Sequence, residues 1–149
     1  VKVTVKVEGL RELDAALGNL PKATAKNVLR RILRQAAQPI ADDYREGVDV
    51  QSGALRDSIG VGTQLTKRQA AAARKEGKSF VEVYAGAGDD PAAHLEEFGS
   101  RNNTPNGALR TSWDKNQERA LDIVAKGLGG EIEKAAARLA KKAAKAAGA

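Results

Sequence analysis

The residues best suited to chemistry cluster in one short run, His94-Leu95-Glu96-Glu97-Phe98-Gly99. An imidazole beside two carboxylates suggests acid–base work or a metal site. A metal-binding helix needs ligands three or four apart on one face, as in HExxH, and HLEEFG has no second histidine. His94 and Glu97 are three apart and can touch, but two groups do not make a site. Asp42-Asp43 and Asp89-Asp90 are adjacent carboxylates, and chain neighbours do not converge on one substrate. Asp89 and Asp90 read instead as a helix cap ahead of Pro91. The GVG at 60–62 and the GAG at 86–88 extend into neither GxGxxG nor GxxxxGK[ST]. No serine lies in a GxSxG turn, and the chain has no cysteine to act as a nucleophile or metal ligand. The expectation is a protein that is not an enzyme and carries no cofactor and no metal.

A second chemistry is charge. The formal net charge is +6 and the isoelectric point about 9.7. One basic run is Lys67, Arg68, Arg74, Lys75 and Lys78; another is Lys134, Arg138, Lys141, Lys142 and Lys145. Neither is interleaved with aromatic residues for base stacking, and no helix-turn-helix or zinc pattern accompanies them. Nucleic-acid binding would therefore be directed at phosphate and sensitive to salt. The alternative is a well-solvated, lysine-rich helical surface.

Several elements must position these groups. Val1, Val3, Val5 and Val7 alternate with polar residues, as in a strand with one dry face. Leu10, Leu13 and Leu17 mark a short helix ended by Gly18-Asn19. A third element starts at Leu20-Pro21, and apolar residues from Val28 to Tyr44 recur at helical spacing as far as Gly47. Pro39 removes one hydrogen bond from that helix and predicts a kink. Leu55, Ile59, Val61, Thr63 and Leu65 share the odd positions, which predicts a strand established by Ser58, with Gly60 and Gly62 on the other face, open to close approach or to a bend of the strand. Phe80 to Ala85 alternates likewise and is expected to pair with it antiparallel. The intervening arm, 66–79, is read as a short Ala-rich helix or a segment that orders on a neighbour.

Beyond it, Gly86 and Gly88 turn the chain, Asp90-Pro91 starts a helix and Gly99 stops it. Phe98 is expected on the buried face of that helix. A long helix is expected from Ser112, with Leu121, Val124, Leu128, Ile132, Ala136 and Leu139 on one face and a bend or break near Gly129. The basic tail, 131–149, is expected to fray unless held. Aromatic residues make up only 3 % of the chain, so aliphatic side chains must form the core. No apolar run approaches the roughly 20 residues of a bilayer span, and no secretory signal is visible. The chain is expected to be soluble and of intracellular origin; since it starts at Val1 without a methionine, the expectation is that the initiator has been removed or left out of the numbering.

The order of elements, with GLRELDAAL, SGALRDSI, AAHLEEFGS and LRTSW, resembles the gene-product-ten-like tail-component family of long-tailed bacteriophages. Its markers here are Gly53, Leu55, Arg56 and Ser58, then Glu97, Phe98 and Gly99, with Ser100 where the family usually has threonine. The family tends to continue with Gln-Pro-Phe and Arg-Pro-Ala, whereas Pro105 is here followed by Asn106-Gly107. The resemblance implies a structural virion protein of the neck or upper tail, a tail-completion or tail-terminator factor assembled in the host bacterial cytoplasm. It also implies partners: further copies in a ring, six subunits before twelve, and adjoining neck and tail proteins, with passive contact to DNA in the channel and none to a membrane. The marker residues are expected to be structural. Subunit contacts are expected at Lys67, Arg68, Arg74 and Lys75 of the arm, Arg101, Asn102 and Asn103 of the loop, and Arg110, Arg138 and Lys141. The expected fold is a single α+β domain over 1–149, a small antiparallel sheet packed on a long kinked helix and a long C-terminal helix. The alternative function is a basic nucleic-acid-binding protein.

Overall fold

The computed structural model describes residues 10–49, 53–76, 81–88 and 90–148. The proposed Val1–Val7 strand and Phe80 lie outside them. Two helices carry the architecture: α2 (Lys22–Gly47) and α6 (Ala108–Ala147). Contacts between them run in opposite chain directions, from Gly47 at Ala108 to Arg31 at Glu131, so they form an antiparallel pair. Helix α2 forms as its periodicity predicts: Ala25, Val28, Ile32, Ala36, Ile40 and Tyr44 all turn inward and are buried. Each large aliphatic side chain buried this way contributes about 1.5–3 kcal/mol. Pro21 sits at the cap, just ahead of the first helical residue, and the helix continues through Pro39.

Helix α6 departs from expectation at its start and in the middle. It starts at Ala108, four residues before Ser112, and runs unbroken through Gly127, Gly129 and Gly130 to Ala147. Packing explains the continuity. Gly127 lies against Ile32 so closely that a Cβ would collide with Ile32 Cδ1, so the missing side chain lets two helices approach. The buried face uses Leu128, Ile132 and Ala135, while Ala136 is exposed. Leu13, Ala16 and Leu17 of α1 (Leu10–Gly18) close that cluster from the side.

Polar groups fix the register of α2 on α6. Buried Asn116 donates through Nδ2 to Asp43 Oδ2 and to Ser112 O at 2.9 Å. Farther along, Arg31 Nη1 bonds Glu131 Oε2 at 2.9 Å. Sliding one helix past the other would strand the Asn116 amide in the interior, at about 1–3 kcal/mol.

A second buried cluster, Ala41, Tyr44, Val48, Leu55, Ile59 and Ala108, lies at the other end of the helix pair. Here the strand expected from Ser58 is shorter than the alternation suggested. Ala54–Ser58 is a turn of helix, α3, and only Gly60–Gly62 is strand β1. Leu55 and Ile59 are four apart, which fits a helical face as well as a strand's odd positions. Gly53 at φ +79° and the bond from Asp57 N to Gly53 O (2.9 Å) decide for the helix. The partner strand β2 is Tyr84–Gly86; Val81 and Val83 precede it outside the sheet. The pairing is antiparallel as expected, with Val61 opposite Ala85, and both pack on this cluster. The fold is α+β: a two-stranded antiparallel sheet against α2, with α6 alongside.

The remaining elements are α4 (Lys67–Glu76) and α5 (Pro91–Phe98). Helix α5 begins and ends as predicted: Asp90 accepts from Ala92 N at 2.9 Å with Pro91 in the first turn, and Gly99 stops it at φ +77°. A side chain at Gly99 would meet Pro105 Cδ at 2.8 Å and Asn103 O at 2.9 Å. Within the expected arm, the described residues from Lys67 to Glu76 are helical. Thr66 Oγ1 accepts from Gln69 N (3.3 Å) and Gln69 Oε1 accepts from Thr66 N (3.1 Å). This reciprocal pair, Thr-x-x-Gln, specifies the helix start locally.

Candidate interaction site at the motif end

Glu97 is engaged with the start of α6. Its two carboxylate oxygens accept from Leu109 N (2.9 Å) and Arg110 N (3.1 Å) in the first turn of α6. The cap residue of α6 is Gly107, which has no side chain to offer, so α5 supplies the missing acceptor. A negative charge also suits the positive end of a 40-residue helix. Glu96 ties a second junction. Its Oε1 accepts from Asp49 N at 2.5 Å and from Asn106 Nδ2 at 3.0 Å, and Asn106 Nδ2 also donates to Gly47 O at 2.9 Å. Two consecutive glutamates thus hold the end of α2, the start of α6 and the loop between α5 and α6 together. Asn106, one of the departures from the family pattern, is part of this junction.

The other marker residues divide. Leu55 is buried, Gly53 supplies its positive φ, and Ser58 Oγ donates to Leu55 O at 2.7 Å. Arg56 is exposed. Phe98 corrects the expectation of a buried face: it is 58 % exposed, and no residue of α5 is buried. His94 lies beside it, with ring centroids 5.0 Å apart and planes tilted by 49°. Trp113, from α6, is 52 % exposed.

Phe98 and Trp113 stand over an open groove of about 970 Å³. Gly60, Gly62 and Gly86 contribute to its lining, and a Cβ added at any of the three would meet nothing within 4 Å. Among the described residues nothing closes on Gly60 or Gly62, so the glycines leave the groove bare. Arg68 from α4 and Arg110 from α6 bring positive charge to it. Tyr44 lines the groove from below, and its phenol is pushed above its ordinary value, first by burial and then by Glu97, Glu96 and Asp90. Trp113 also borders a second, apolar groove of about 510 Å³ with Leu33, Ile40, Val83, Leu121 and Val124.

The ten basic and amide residues expected at contacts fall into separate groups. Lys67, Arg68 and Arg74 are exposed on α4, to which Lys75 also belongs; Arg101, Asn102 and Asn103 are exposed in the loop, and Arg110 on the first turn of α6. Arg138 and Lys141 lie at the opposite end of α6, far along the chain from the motif residues. Sequence reasoning missed Glu96 and Asn106, whose partners are distant in the chain. It also missed the Thr66–Gln69 cap, which a search for Thr-x-x-Gln would have found.

Among the described residues, no group of three or more His, Asp or Glu side chains is placed to hold a metal ion. No helix among them is long and apolar enough to cross a membrane. Comparison with curated proteins and with solved structures returned no match. Comparison with protein families matches residues 11–99 to the family described as "Bacteriophage HK97-gp10, putative tail-component". The matched region runs from α1 to the glycine that ends α5 and takes in every marker residue, so the chain belongs to the HK97-gp10-like family of bacteriophage tail components.

Proposed function

We propose that the chain is a structural, non-catalytic subunit of the virion, at the head–tail junction or upper tail, where it acts in the neck, in tail completion or as a tail terminator. Copies form a ring, of six subunits in the first instance and twelve in the second, between adjoining neck and tail proteins. The observation that carries this reading is the pair Phe98 and Trp113, both more than half exposed over a groove lined by bare glycines. Exposed aromatic side chains at one groove mark a surface that another protein covers. A closed ring uses two different patches on each subunit, meeting head to tail. The groove, with Arg68 of α4 in its lining, supplies one; the exposed loop of Arg101 to Asn103 supplies material for the other.

The glutamates that a hydrolase would need are committed to holding helix ends, which supports a structural role. Immunogold labelling of purified particles, read by electron microscopy, tests the proposal. Label at the neck or upper tail supports it. Protein left in the lysate and missing from intact particles overturns it.

A further inference from the structure

The positive charge is concentrated at the end of the helix pair remote from the groove. Beyond Glu133, α6 has no acidic residue and carries Lys134, Arg138, Lys141, Lys142 and Lys145, all exposed. At about 100° and 1.5 Å per residue, these five fall within an arc of about 100° and span about 16 Å. Helix α2, antiparallel to α6, adds Lys22, Lys26, Arg30 and Arg34 at four-residue steps, with no acidic residue before Asp42. Between the two helices lies a small groove of about 230 Å³, where Arg31, a further cation of α2, stands with Arg138 and Lys142 of α6 beside Thr24 and Asn27. Glu131, largely buried at 12 % exposure, holds Arg31 in place.

We propose that this end of the helix pair binds the phosphate backbone of double-stranded DNA without regard to sequence. Alanines separate the cations on α6 beyond Arg138, apart from half-buried Leu139. The surface therefore lacks the aromatic anchors of a protein interface and the stacking groups of a single-strand binder. A row of exposed cations with little else between them suits a uniform line of phosphates. The inference rests on charge geometry and does not require the ring.

The test is equilibrium binding of a fluorescent duplex of arbitrary sequence to the full chain, from about 50 to 200 mM salt. With about four phosphates contacted, affinity falls about 100-fold over that range. The triple variant Lys141→Gln, Lys142→Gln, Lys145→Gln loses about two to three from the log–log salt slope. Lys67→Gln, Arg68→Gln, Arg74→Gln removes equal charge from α4 and leaves the slope unchanged. Equal loss in both triples, no binding by the native chain, or equal binding of poly-glutamate overturns the proposal. Circular dichroism on each variant excludes unfolding, and sedimentation of the same samples separates loss of DNA binding from loss of assembly.

Discussion

Gly127 of α6 rests directly on Ile32 of α2, and an added Cβ would run into Ile32 Cδ1. Ile32 is 1 % exposed and branched at Cβ, so its terminal methyl has little room to withdraw. Gly127→Ala gains up to about 1 kcal/mol of helix propensity but overpacks the core at about 1–3 kcal/mol. A net destabilisation in urea unfolding is expected. Gly130 is exposed in the same helix with nothing within 4 Å, so Gly130→Ala stabilises by about 0.5–1 kcal/mol. Two substitutions of equal sign would show that Gly127 is not a contact point.

Glu97 caps a helix to which it does not belong. Glu97→Ala leaves the amides of Leu109 and Arg110 without their acceptor and costs about 1–2 kcal/mol. Glu97→Gln keeps one acceptor oxygen and loses the charge, so it costs less, about 0.5–1 kcal/mol. Urea midpoints in the order native, Gln, Ala check this; an Ala variant as stable as the native chain refutes the cap.

Tyr44 gives the stability a dependence on high pH. Its phenol is raised above 10.0 in the folded chain by burial and by Glu97, Glu96 and Asp90. A raised folded value means that its contribution is fully present below the unfolded value of 10.0. It is then lost as pH rises through the folded value. Thermal midpoints of the native chain and of Tyr44→Phe, compared from neutral pH to above 10.0, isolate this effect from lysine titration. The native chain loses more stability than the variant over that window; parallel curves contradict the assignment.

Phe98→Asp separates folding from assembly. A buried phenylalanine at this position would make the change destructive, but the side chain is 58 % exposed. Stability is expected to stay within about 0.5 kcal/mol, while sedimentation shows loss of the ring. A variant that unfolds would contradict the exposure. One that assembles normally would remove Phe98 from the interface.

Elements with a local signature were legible in the sequence. Helix α2 has its 3.6-residue pattern, and α5 has Asp90-Pro91 at one end and Gly99 at the other. What escaped depends on contacts between distant residues. Glycines near 129 weaken a helix in isolation, yet α6 continues because Ile32 fills the space that Gly127 leaves. Leu55 and Ile59 fit two periodicities, and the backbone at Gly53 selects one. At the candidate site, HLEEF was visible as a cluster of polar groups, but its partners, Asp49, Asn106 and the amides of α6, are brought to it only by the fold. Phe98 was misplaced because amphipathicity ranks the faces of a helix without saying which neighbour covers them.

The two buried clusters lie at opposite ends of the α2–α6 pair, and among the described elements only these helices thread both. Each end has its own apolar interior, so local opening at one need not breach the other. In amide hydrogen exchange, the middle turns of α2 and α6 would then be the last to take up deuterium, with α3 to α5 ahead of them. The groove could adjust to a neighbour by loosening its own cluster while the charged end kept its shape, which would give one small chain two surfaces free to change at different rates.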